Sequence, residues 1–90
     1  MPTIRIPAPL RKLTNNLEEV HVSAAKLDAA LEELNAIHPG FGERIFDDQG
    51  QIRRFVNIYV NDEDVRFLQE KETPLIESDV VSIVPALAGG

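Results

Sequence analysis

Gly89 and Gly90 close the sequence after "VPALA", and between them they offer one reactive group, the carboxylate of Gly90. Glycine brings no side chain to pack or react, so the backbone there can approach another surface with no Cβ in the way. A carboxylate resists nucleophiles until it is activated, for example as an acyl-adenylate made from ATP. Attack by sulfur on the activated carbonyl gives a thiocarboxylate, and attack by an amine gives an amide. The chain contains no cysteine. Any sulfur carried at this end must therefore sit on the carboxyl group itself. The same absence excludes disulfides, zinc–thiolate sites and cysteine nucleophiles. Ala86, Leu87 and Ala88 come just before the glycines. Because Pro85 cannot donate to a strand ladder, residues 86–90 are expected to leave the domain as a flexible, extended arm. Its mostly small side chains suit a narrow channel in another protein.

The other chemically capable residues have simpler explanations. His21 lies between Val20 and Val22 and is expected to point outward from a strand. His38 falls where a helix should end, and an imidazole there suits the negative end of the helix dipole. Neither has a cysteine or a second histidine at ligand spacing, so no metal site is expected. "NDED" at 61–64 has the charge of a calcium loop but lacks its glycine and its distant glutamate, and reads as a hairpin turn. The serines are Ser23, Ser78 and Ser82. No nucleophile elbow, phosphate-binding glycine loop or acid–base pair accompanies them, so catalysis by this chain alone is not expected. Fifteen acidic residues against nine basic ones give a net charge of −6, which argues against nucleic-acid binding. Arg53-Arg54 and Arg11-Lys12 are the tight basic doublets, and both read as solvated strand or loop residues.

Stepping along the chain, "TIRIPA" alternates with Ile4 and Ile6 on one face, and "EEVHVS" alternates with Val20 and Val22 inward. Ser23 is a good N-cap for a helix from Ala24 to His38, whose apolar stripe is Leu27, Leu31, Leu34 and Ile37. Pro39-Gly40 stops it. One helical turn is expected near Glu43 to Phe46. "RFVNIYV" is the strongest strand, with Val56, Ile58 and Val60 inward; a short return strand follows at Val65 to Phe67. Leu75 and Ile76 read as anchors, and "VVSIVP" is the last strand. One helix with a single apolar stripe needs one sheet face to cover. The expected fold is thus a two-layer α+β domain: a mixed sheet of four to five strands with one main helix on one face. Parallel pairing of the first and last strands at the sheet centre would make it a ubiquitin-like β-grasp, which periodicity alone does not fix. The domain should span residues 1–85 and the arm 86–90. On the open side of the sheet, Phe55, Tyr59, Val80 and Val84 form a candidate partner-docking face. Ninety residues without a leader or a long apolar run are expected to be a soluble, cytoplasmic protein, monomeric when free.

"RFVNIYVNDEDVR" from Arg54 to Arg66 and the ending "VPALAGG" resemble the ubiquitin-like bacterial sulfur carriers. That family includes the thiamin-pathway carrier and the small subunit of molybdopterin synthase. The resemblance covers nearly the whole chain and is strongest to the carriers of an alternative cysteine-biosynthesis route. It implies that a ubiquitin-E1-type activating enzyme adenylates Gly90 and that sulfur transfer makes a thiocarboxylate. It further implies a pyridoxal-phosphate cysteine synthase that adds an O-phosphoserine-derived aminoacrylate, and a zinc metallopeptidase that releases cysteine. ATP, pyridoxal phosphate and zinc then belong to these partners, and this chain binds none. Ala86, Leu87, Ala88 and Gly89 become the stretch by which the arm is recognised. Molybdopterin synthase subunits usually carry a double proline before the arm and Gly-Asp before the last strand, where this chain has "IVPALAGG" and "ESDV". That reading, and a protein modifier joined to lysines through Gly90, remain the alternatives.

Overall fold

A proline-interrupted N-terminal segment gives the first strand only three residues. In the computed structural model, which describes residues 1–85, β1 is Thr3–Arg5 and β2 is Glu19–His21. A 3-10 helix, Ala8–Thr14, starts directly after Pro7, and Pro9 sits in its first turn, where a backbone N–H would have no partner within the helix. Two asparagines, Asn15 and Asn16, accept the left-handed backbone that ends it. Next come α1, Leu27–Ile37, and a short α2, Phe41–Ile45, then β3, Val56–Val60, β4, Glu63–Asp64, and β5, Val80–Pro85. The five strands lie in the order β2-β1-β5-β3-β4. β1 runs parallel to β5, and all other neighbours are antiparallel. This is the β-grasp arrangement left open by periodicity, with β5 in the middle position.

The period-two pattern is realised as expected. Ile4, Val20, Val56, Ile58, Val60, Val81 and Ile83 are buried on the face that the helices cover. Leu27, Ala30, Leu31 and Leu34 of α1 and Phe41 and Ile45 of α2 supply the other half of that core. No helix of the described residues is long and apolar enough to cross a membrane.

Four local expectations are corrected. The helix begins at Leu27, and its N-cap is Lys26, not Ser23. Residues 25–27 are held extended against residues 73–75: Leu75 N–H donates to the Ala25 carbonyl at 2.8 Å, and Leu27 N–H donates to the Thr73 carbonyl at 2.9 Å. That partner lies far away in sequence, and it supplies one of the acceptors a local cap would otherwise provide. Ser23 instead donates from its backbone and hydroxyl to the Glu33 carboxylate. Ile37 is 51% exposed, because at roughly 100° per residue it sits about 80° from Leu27 around the helix, at the edge of the stripe. Phe41 and Ile45 fill the core beyond it.

The return strand does not form at Val65–Phe67. β4 is over by Asp64, whose carboxylate accepts from Arg66 N–H at 2.8 Å and starts a 3-10 turn over those three residues. Val65 is buried and Phe67 points to solvent. Leu75 anchors its loop as expected, but Ile76 is 67% exposed. There the backbone turns so that Ile76 N–H can donate to the Asp79 carboxylate at 2.9 Å.

Candidate functional site

β5 positions whatever follows it. Thr3, Ile4 and Arg5 pair with Val80, Val81 and Ser82, while Val56 to Val60 pair with Pro85 back to Val81. The strand is thus held on both sides at its start and by β3 alone at its end. The missing amide of Pro85 leaves no unmade ladder donor there. Ala86, Leu87, Ala88, Gly89 and Gly90, the residues read as the arm and its reactive end, lie outside the described residues.

On the side of the sheet away from the helices, Tyr59 is flanked by Ser82 and Asp64. Val84, 44% exposed, lies opposite Asn57, and Val80 lies opposite Thr3. Tyr59, Val80 and Val84 therefore share one open face, in which polar neighbours separate the apolar groups.

Phe55 does not belong to that face. Val56 N–H donates to the Arg53 carbonyl at 3.0 Å, which folds residues 53–56 into a turn and breaks the alternation just before β3. The Arg53 guanidinium carbon lies 6.0 Å from the Phe55 ring centre, a distance at the limit of a cation–π contact. Arg53 Nε–H donates to the Glu43 carbonyl of α2 at 3.1 Å. Phe55 is thereby tied to the helix layer. With Leu10, Ile45, Ile83 and Pro85 it lines a cleft of about 280 Å³. Sequence reasoning missed this cleft because it treated Arg53 and Arg54 as solvated. The signal that could have shown it was an aromatic directly after two arginines at the mouth of a strand.

The remaining candidates have structural partners. His21 is exposed, with Nδ1 3.0 Å from the Thr3 hydroxyl. His38 caps the C-terminus of α1. In "NDED", Asn61 and Asp62 take left-handed backbone, the conformation a two-residue hairpin loop of this kind requires. Asn61 then donates through Nδ2 to the buried Asp79 carboxylate at 2.7 Å and accepts from Val80 N–H at 3.0 Å. The hairpin is thereby locked to the start of β5. No group of three or more His, Asp or Glu side chains among the described residues is arranged to hold a metal ion.

A model of the ThiS family matches residues 4–90. The sulfur carrier protein CysO of Mycobacterium tuberculosis is 44% identical over 90 residues, covering 98% of this chain and 97% of that protein. The crystal structure of Mycobacterium tuberculosis CysO matches with a TM-score of 0.90 at 42% identity, over 97% of this chain and 100% of that one. A chain in the crystal structure of the Amycolatopsis orientalis BexX/CysO complex matches with a TM-score of 0.93 at 34% identity, with 100% of both chains covered.

Proposed function

The chain belongs to the ThiS family, and from that premise we propose that it is a sulfur carrier of the CysO kind that works through the carboxylate of Gly90. The observation that carries this reading is that the family match runs to Gly90 itself. In the proposed cycle an E1-type enzyme joins the Gly90 carboxylate to the adenylyl group of ATP, releasing pyrophosphate. A hydrosulfide-equivalent nucleophile then displaces AMP and leaves a thiocarboxylate. A pyridoxal-phosphate synthase adds an aminoacrylate derived from O-phosphoserine to that sulfur, giving a thioester. Transfer of the acyl group from sulfur to nitrogen leaves cysteine in amide linkage to Gly90, and a zinc metallopeptidase hydrolyses that bond to free cysteine and the carrier. The chemistry belongs to those cytoplasmic partners; this chain presents one carboxylate on a stable base. The absence of cysteine supports the cycle, since no thiol on the chain competes for the activated carbonyl.

Covalent geometry sets a condition on every partner. Five residues follow Pro85 and span at most roughly 16–18 Å when fully extended. An enzyme acting on Gly90 must therefore also touch the surface around the end of β5. The open face with Tyr59, Val80 and Val84 is proposed as part of that footprint, and a relative has been solved as a BexX/CysO complex.

The test is intact-protein mass spectrometry of the chain from its native host, with fragmentation of the C-terminal peptide. The expected result is the mass gain of one oxygen exchanged for sulfur, located on Gly90, and a cysteine residue added there would assign the cysteine route. Unmodified carboxylate alone, in sulfur-replete cells that contain the activating enzyme, would overturn the reading.

A further inference from the structure

The cleft beside Pro85 has an apolar floor of Leu10, Ile45 and Ile83, all buried, and one wall made by Phe55, which remains 46% exposed. At about 280 Å³ it falls below the ~300–1,000 Å³ usual for a small-molecule site and is sized for one or two side chains. Arg44 and Arg53 also line it, and Arg54 follows Arg53 in sequence. Glu43 is the single acidic side chain in the lining.

In a chain of net charge −6, Arg44 and Arg53 place two positive charges in the lining of this one cleft. The ion pairs of the described residues involve the N-terminus, Arg11, Lys26 and Arg66. Like Arg5, Lys12 and Lys71, the residues Arg44, Arg53 and Arg54 have no carboxylate within about 4 Å among the described residues. The Arg53 side chain donates from Nε to the Glu43 carbonyl, and its two Nη nitrogens make no hydrogen bond among the described residues.

We propose that this cleft receives an acidic segment of the enzyme that loads Gly90, in which one leucine- or phenylalanine-type side chain enters the cleft and neighbouring carboxylates meet Arg44 and Arg53. The inference rests on the sulfur-carrier reading. Two observations select this occupant. Pro85 is at once a wall of the cleft and the residue from which the arm departs, so an enzyme holding Gly90 within the arm's reach lies over it. Guanidinium groups with no carboxylate partner among the described residues favour a carboxylate-bearing partner, both in steering the encounter and in rejecting basic surfaces. A second copy of this chain fits less well, because a two-fold contact through the cleft would bring the arginines of one copy against those of the other.

The full-length chain and its host's E1-type adenylating enzyme, with ATP, provide the test. Arg44→Glu with Arg53→Glu is expected to weaken enzyme binding about tenfold and to flatten its salt dependence. Phe55→Ala is expected to weaken it by a similar factor while keeping the salt dependence. Lys26→Glu with Lys71→Glu, which changes net charge equally at a distance from the cleft, should bind like the native chain. Unfolding transitions near the native one establish that each variant is folded. If the native chain is loaded at Gly90 and the cleft variants bind as it does, the cleft proposal falls alone. A native chain that binds ATP-charged enzyme but is never loaded overturns the carrier reading and this inference with it. Two other results reassign the cleft and overturn the proposal. One is self-association abolished by the same substitutions. The other is a change in the Phe55 and Ile83 NMR signals of the free chain on removing residues 86–90.

Discussion

Arg66 donates from Nη1 to the Asn57 amide oxygen at 2.6 Å and from Nη2 to the Arg54 carbonyl at 2.9 Å, with the Asp64 carboxylate 3.6 Å away. One planar cation thus joins the 3-10 turn after β4 to β3 and to the turn that carries Phe55. Its side chain is 43% exposed, so the ion pair itself contributes little and the hydrogen bonds carry the effect. Hydrogen bonds to a charged group are worth about 1.5–3 kcal/mol when sheltered. Half-exposed, Arg66→Ala is expected to cost about 1–2 kcal/mol in urea unfolding. Arg66→Lys should recover little, because an ammonium cannot span two acceptors held in a fork. A lysine variant as stable as the native chain would refute this account. Arg66 was visible in the sequence as the end of the motif "RFVNIYVNDEDVR". Its role was not, because two of its partners, Asn57 and the Arg54 carbonyl, are set by how β3 and β4 fold back on one another.

At the level of elements, legibility followed the range of the forces involved. Alternation in "VNIYV" and "VVSIV" is enforced within each strand, so the inward residues were readable in advance. The start of α1 was not, since its first amide is satisfied by Thr73. Val65 to Phe67 failed as a strand because the Asp64 side chain offers the backbone a competing turn. The loop between α2 and β3 works by the same kind of local bond. Asp47 Oδ1 accepts from Gln51 N–H at 3.0 Å and from Gln49 N–H at 2.8 Å. Those two backbone donors, Gln51 first, hold its carboxyl below the ordinary aspartate range. A carboxyl with a depressed folded pKa contributes order that is fully present above its unfolded pKa and lost as pH falls through the folded one. The Gln49 and Gln51 amide resonances should therefore hold their positions through the ordinary aspartate range and move only at lower pH. In Asp47→Asn, which keeps an acceptor but no charge, that titration should vanish. A transition at or above the free-aspartate midpoint would show that the loop is ordered by something else.

Across the whole molecule, the proposed carrier role separates stability from chemistry. Among the described residues the buried apolar core runs from Ile4 to Ile83, and the last sheet pair is Val56–Pro85. The proposed reaction takes place at Gly90, beyond both. The sequence suggests such a division, because strand periodicity stops at a proline and the glycines follow it; the cleft that β5 and α2 build beside that proline needed the fold to become visible. Such a division predicts that one residue can be removed from the reaction without being missed by the fold. Deleting Gly90 should leave the unfolding free energy within about 0.5 kcal/mol of native, the range for changes that touch no buried group. Loading by the host's activating enzyme should be lost, because the carboxylate then sits one residue short of the position the enzyme's nucleotide requires. Urea unfolding and intact mass after incubation with enzyme, ATP and a sulfur source read the two quantities on one sample. Loss of both would make the end of the chain part of the fold. Loss of neither would mean that the enzyme accepts any terminal glycine it can reach. Stability kept and loading lost is the outcome expected of a carrier whose folded domain delivers its last residue to another protein's active site.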